Sequence, residues 1–169
     1  MKTNKGITMV ALIITIILLL IIAGVTIGSG SGLIKESQLE NQVTNMLLIK
    51  SKGKEYVENA NFKLGTNIDE AEDKTDKINN AKSELKGTET DISTYSNIEA
   101  TESEYVFYYV LNDQDLSDMG FPKLKSNESD GFFIIQYDIK NAEVEVYNTN
   151  GYTDDNGTYY SLTEMQELE

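Results

Sequence analysis

The chain is 169 residues long, enough for one modest domain, and sets 14 basic residues against 28 acidic ones for a formal charge of −14. Every basic residue is lysine, and arginine, histidine, cysteine and tryptophan are absent. That composition excludes disulfides, thiolate nucleophiles, lipid attachment through cysteine and imidazole chemistry, and the charge argues against nucleic acid and anionic lipid surfaces as partners.

Residues 7–27 are a run of 21 uncharged, mostly apolar residues behind a leader whose only charges are Lys2 and Lys5. As a helix the run is roughly 31 Å long at about 1.5 Å per residue, enough to cross a bilayer core. Its backbone polar groups are satisfied within the helix, the condition for crossing lipid. Thr8, Thr15 and Thr26 can return their hydroxyls to the preceding turn. With the leader lysines held in the cytoplasm, the remainder, 12 lysines against 28 acids, is expected outside the cell.

The junction Lys5-Gly6-Ile7-Thr8-Met9-Val10 and the apolar run behind it resemble the processing site of type IV prepilins and pseudopilins. The likeness is greatest to pilin-like proteins of low-GC Gram-positive bacteria. It covers about the first 30 residues and, more weakly, the last 40. It implies that a membrane-embedded prepilin peptidase cuts after Gly6 and methylates the new terminus at Ile7. It also implies that the hydrophobic helix meets membrane lipid and other pilin-like subunits. The implied function is structural: a subunit of a pilus-like, pseudopilus or related surface or secretion filament, neither an enzyme nor a cofactor protein.

Most assembling members of that family carry glutamate as the fifth residue after the cut, and here that position is Ala11. The family's carboxylate pairs with a neighbour's charged amino terminus. Without it three routes stay open: assembly through packing alone, entry as a minor or tip subunit, or no assembly. The residues also admit a plain signal anchor, which needs no Gly6-Ile7 junction. They admit a cleaved signal peptide too, since small residues follow at Gly28-Ser29-Gly30-Ser31-Gly32, although such hydrophobic regions usually run about 7–15 residues. Either alternative leaves a non-assembling, anchored or secreted binding module.

The expected organisation is a leader at 1–6, a membrane and assembly helix at 7–27, a break at 28–32 and an extracellular acidic α+β domain at 33–169. Glycine costs roughly 1 kcal/mol per helical position, and three fall within the break; the alternative is a helix running straight through. Over 33–62 the residues Leu39, Val43, Met46, Ile49, Gly53, Val57 and Ala60 recur at three and four, one buried helical face. A capping box of Ser37 and Glu40 offers a later start. Met46-Leu47-Leu48-Ile49 is apolar nearly all round, which predicts cover on more than one side.

Leu64-Gly65-Thr66-Asn67 stops that helix, and Ile68, Ala71, Thr75, Ile78, Ala81 and Leu85 predict a shorter charged one ending at Lys86-Gly87. Residues 87–103, polar apart from Ile92, Tyr95 and Ile98, read as an exposed mobile loop. Strands are predicted at 105–111, 132–138 and 142–147, with a helical turn or two over 113–119. In the third strand Val144 and Val146 alternate with Glu143, Glu145 and Tyr147. Residues 151–160 form a hairpin about Asn156-Gly157, and a short helical turn follows at 161–165. The predicted fold is therefore α+β: a long amino-terminal helix, membrane span plus amphipathic continuation, packed on a small antiparallel sheet. The expected core is Leu39, Val43, Met46, Val57, Val106, Tyr108, Ile134 and Val144.

Two sites invite chemistry. Asp154, Asp155 and Asn156 are weak calcium candidates, because calcium takes six to eight oxygens and Tyr152 stands where an EF-hand loop would begin. A bare hairpin turn is the simpler reading. The tyrosines of the last third suit a sugar-stacking face, or strands that bury the ring and expose the hydroxyl. Nothing singles out a pair of carboxylates for glycoside hydrolysis.

Overall fold

The structure, a computed structural model, describes the backbone of residues 9–168 and the side chains of 35–168. The chain divides into Met1–Gln38 and a compact unit, Leu39–Glu169. Helix α1 is Met9–Leu64 and is continuous through 28–32, where a break is expected. Glycine weakens a helix without removing any of its hydrogen bonds, and propagation from long flanks carries the turn. The helix likewise passes through Ser37 and Glu40 without a new start. Among the described residues no helix is long and apolar enough to cross a membrane. Gly6 and Ile7, and the side chains of the 7–27 run including Ala11, lie outside the described residues.

From Leu39 onward the architecture is α+β. Five strands, β1 (Thr88–Glu89), β2 (Val106–Leu111), β3 (Phe133–Asp138), β4 (Glu143–Thr153) and β5 (Thr158–Ser161), form an antiparallel meander in that order. One face carries Tyr109, Leu111, Phe133, Ile135, Tyr137, Val144 and Val146 against α1. From α1 come Leu39, Val43, Met46, Ile49, Val57, Ala60 and Leu64, all buried and all on the predicted stripe or its next turn. Gly53 lies close against the sheet: a Cβ there would stand 2.5 Å from Ile135 Cδ1 and 3.2 Å from Val144 Cγ1.

Polar contacts fasten the helix to the β3–β4 turn. Asn61 Nδ2 donates to the carbonyls of Ile139 and Lys140 at 2.9 and 2.8 Å, and Lys54 Nζ donates to Ala142 O at 2.7 Å. Beyond α1, Asp69 receives Lys140 Nζ at 2.7 Å and the Tyr105 hydroxyl at 2.6 Å.

The predicted second helix is divided. Ile68–Glu70 makes a 3₁₀ turn, Ala71 is extended, and α2 covers Lys74–Lys82 only. Ile68 and Ala81 are both buried in the main core, yet 13 residues apart on one helix they would point roughly 140° apart. The interruption lets both reach it. Two short helices follow, α3 (Asp113–Asp118) and α4 (Leu162–Gln166), each opened by a capping box, Asn112 with Asp115 and Ser161 with Glu164.

Strand β4 continues past the predicted 142–147 as far as Thr153. A register shift between Tyr147 and Tyr152 bends it, and the buried Asn148 Oδ1 accepts from the N–H groups of Asn150 and Gly151 at 2.9 and 3.2 Å. Gly151 has φ +65°, and a Cβ would lie 2.7 Å from Tyr159 O, so the bend requires glycine.

The largest departure concerns 87–103. Thr88–Glu89 pairs with β2, and Ile92 and Ile98 are buried against Val106, Tyr108 and Ile134 on the sheet face opposite α1. Thr101 N donates to Tyr108 Oη at 2.8 Å. Without this segment those side chains would form an exposed apolar patch. Burying an isoleucine is worth roughly 1.5–3 kcal/mol, so Ile98→Asp should release the segment at a cost of that order while α1 and the sheet persist. Hydrogen exchange is the readout: amides around 92–101 should lose protection and those of β3 keep it. Unchanged protection over 92–101 would refute the packing described.

Candidate functional site

The calcium candidates sit on the β4–β5 hairpin, where Asp154 serves the turn. Its Oδ1 accepts from Asn156 N at 2.7 Å and from Gly157 N at 2.9 Å, and its own N–H donates to Gly157 O at 3.0 Å. The Asn156 N–H, helped by that of Gly157, holds the Asp154 carboxyl below its ordinary value. A calcium ion would have to compete with those donors for the same oxygen. Among the described residues no three Asp or Glu side chains gather as a metal-holding group.

The sheet face opposite α1 carries an open polar groove between the 97–101 stretch and the strands. One lobe, about 470 Å³, is lined by Ile98, Thr101, Glu145, Tyr147, Tyr160 and Thr163 among others. An adjoining lobe of about 480 Å³ shares Thr101, Glu145 and Tyr147 and extends to Lys50 and Lys54 on α1. Strand alternation puts Glu145 and Tyr147 here, because Val144 and Val146 take the core face.

The groove's polar groups are already engaged with one another. Glu145 receives Lys50 Nζ at 3.2 Å, Thr163 N at 3.1 Å and Thr163 Oγ1 at 2.8 Å. Tyr147 donates its hydroxyl to Gln136 Oε1 at 2.9 Å, and burial pushes its phenol up, away from any role as a base near neutrality. Burial also pushes the Glu164 carboxyl up, but the N–H groups of Ser161 and Tyr160 outweigh this and hold it below its ordinary value. Hydrogen bonding and ring contact are the chemistry this surface offers. The last-third tyrosines divide accordingly: Tyr147 and Tyr160 reach the groove, whereas Tyr109 and Tyr137 stack edge to face in the core.

A second surface is the solvent side of α1. Met46 and Ile49 are fully buried, but Leu47 and Leu48 between them are 41% and 43% exposed, so the apolar turn is covered within the chain on one side only. Phe62 is 87% exposed. Leu48 also walls a small apolar cleft of about 310 Å³ completed by Phe121, Pro122 and Leu124. Phe62 stands at the end of the predicted 33–62 helix, and the sequence signal for its exposure is that it falls off the stripe that continues from Ala60 to Leu64.

No family model matches this chain, and no curated protein or solved structure matches it.

Proposed function

We propose that this chain is a structural subunit of a pilus-like, pseudopilus or related surface filament, inserted in the membrane and processed after Gly6 by a prepilin peptidase. The observation that carries the reading is the build of α1, Met9–Leu64. Its sequence begins as an uncharged apolar run and ends as a stripe buried on an antiparallel meander, with Leu47, Leu48 and Phe62 left outward. In this reading the first part holds the subunit in lipid and then in the assembly. The second part belongs to an acidic extracellular domain, and the outward apolar residues await neighbouring subunits.

A second reading, a non-assembling anchored or secreted binding module, draws on the groove at Thr101, Glu145 and Tyr147. Intact mass of the mature protein separates the two. The filament reading expects a chain beginning at Ile7, N-methylated and retaining the hydrophobic run, and expects Gly6→Val to block the cut. A mature terminus near Gly30 would instead establish signal-peptide cleavage and refute the subunit reading.

A further inference from the structure

The chain carries two Asn-Gly pairs, Asn150-Gly151 and Asn156-Gly157, close together in its last third. In such a pair the glycine backbone nitrogen can attack the asparagine Cγ, since the glycine has no side chain to stand in the way. The N–Cγ bond forms, the Cγ–Nδ2 bond breaks and ammonia leaves, which gives a succinimide. Water then opens the ring at either carbonyl, to aspartate or to isoaspartate. By sequence the two pairs are equivalent, and the fold makes them different.

Both glycine N–H groups are held by a side-chain oxygen, Gly151 N by Asn148 Oδ1 at 3.2 Å and Gly157 N by Asp154 Oδ1 at 2.9 Å, so this does not separate them. The asparagines themselves do. Asn150 lies inside β4, and its carboxamide Nδ2 donates across to Ser129 O at 3.0 Å. Its own N–H donates to Asn148 Oδ1 at 2.9 Å, and Gly131 packs so near that a Cβ there would stand 3.0 Å from Asn150 Cβ. Turning that carboxamide onto Gly151 N means leaving the 129–131 segment and bending the strand. Asn156 and Gly157 are both exposed, in the loop between β4 and β5. The Asn156 carboxamide donates to Asp154 Oδ2 at 3.3 Å, a long bond within the same turn, and the space a Gly157 Cβ would enter is open to 4 Å.

We infer that Asn156 is a spontaneous modification site of the folded protein, converting through the succinimide to aspartate and isoaspartate, while the fold protects Asn150. The product sets a new acid beside Asp154 and Asp155 and removes the amide that donates to Asp154 Oδ2. Isoaspartate also routes the backbone through an added methylene between residues 156 and 157, within the span where Asp154 Oδ1 holds both N–H groups. The turn joining β4 to β5 therefore loosens as the molecule ages. This holds equally for a filament subunit and for a binding module.

The test is ageing of the full-length chain in mildly alkaline heavy-oxygen water, one sample folded in mild detergent and one unfolded in guanidinium chloride. Cleavage after lysine in mild acid releases residues 141–169 as one peptide carrying both pairs, because Lys140 is the last lysine. Fragment masses then report each asparagine against the other. In the folded chain Asn156 should convert faster than Asn150 by about tenfold or more, the cost of giving up hydrogen bonds and local strand structure at Asn150. In guanidinium the two should convert at similar rates. Heavy oxygen should enter at residue 156, and an isoaspartyl methyltransferase should label the aged peptide. Gly157→Ala, whose Cβ meets nothing within 4 Å, should keep the fold and slow conversion at Asn156 severalfold. Equal conversion of both asparagines in the folded chain, a lead for Asn150, or an Asn156 that stays an amide overturns the inference. So does a Gly157→Ala variant that converts as fast as its parent.

Discussion

Val43→Asp should abolish cooperative unfolding of a fragment covering 33–169, which in its parent form should fold alone as a monomer. Val43 is 2% exposed within the α1–sheet core. The substitution forfeits about 1.5 kcal/mol or more of apolar burial and adds a carboxylate with no partner there, worth several kcal/mol more. Domains of this size are stable by only about 5–15 kcal/mol, so the sum approaches the whole. Burial would raise the new carboxyl's pKa in the folded state. Its destabilisation is therefore small below the unfolded value of about 3.9 and grows as pH rises through the raised folded value. Urea titrations followed by circular dichroism at acid and neutral pH test this. Thr44→Asp, one residue on and exposed, is the control and should shift stability by no more than about 0.5 kcal/mol. Equal transitions for the two variants would mean that α1 does not pack through Val43.

Gly53→Leu should destabilise the same fragment by about 3 kcal/mol or more, because the added side chain must enter space held by Ile135 and Val144. Gly53→Ala is the finer probe. Helix propensity alone would make it stabilising by about 1 kcal/mol, but its Cβ would fall 2.5 Å from Ile135 Cδ1, on a side chain with no exposed surface. Ile135→Val removes that Cδ1 atom and should by itself cost about 0.5–1.5 kcal/mol. The two changes together should cost less than their sum, a coupling read by a double-mutant cycle. Full stabilisation by Gly53→Ala with no coupling would show that the helix stands farther from the sheet.

Much of the domain was legible because hydrophobic periodicity reports directly on which face is buried. The stripe Leu39, Val43, Met46, Val57 and Ala60 names the buried side of α1, and the alternation at Val144 and Val146 names the buried side of β4. Every residue of the expected core is buried. The hairpin lies where Asn156-Gly157 announced it, although neither residue has a positive φ and the connection is a four-residue loop held by the Asp154 side chain. The candidate site was less legible. Glu145 and Tyr147 were recognisable as the outward side of a strand, but nothing local tells an outward residue in solvent from one lining a groove.

The sequence by itself determined the α+β class, the amphipathic stripe of the helix, the three main strands and the uncharged amino-terminal run, since each depends on residues near one another in the chain. The tertiary structure decided what depends on distant partners. Ile92 and Ile98 are isolated apolar residues in a polar stretch, and only the apolar far face of β2 and β3 gives them a place to be buried. Gly53 reads as a weak point in a helix until Ile135 is seen to occupy the space of its missing side chain. Leu47, Leu48 and Phe62 are apolar like their buried neighbours, and their exposure follows from the sheet covering one side of α1 and no more. Local pattern states which residues seek burial, and the number of faces available in the fold settles which of them obtain it.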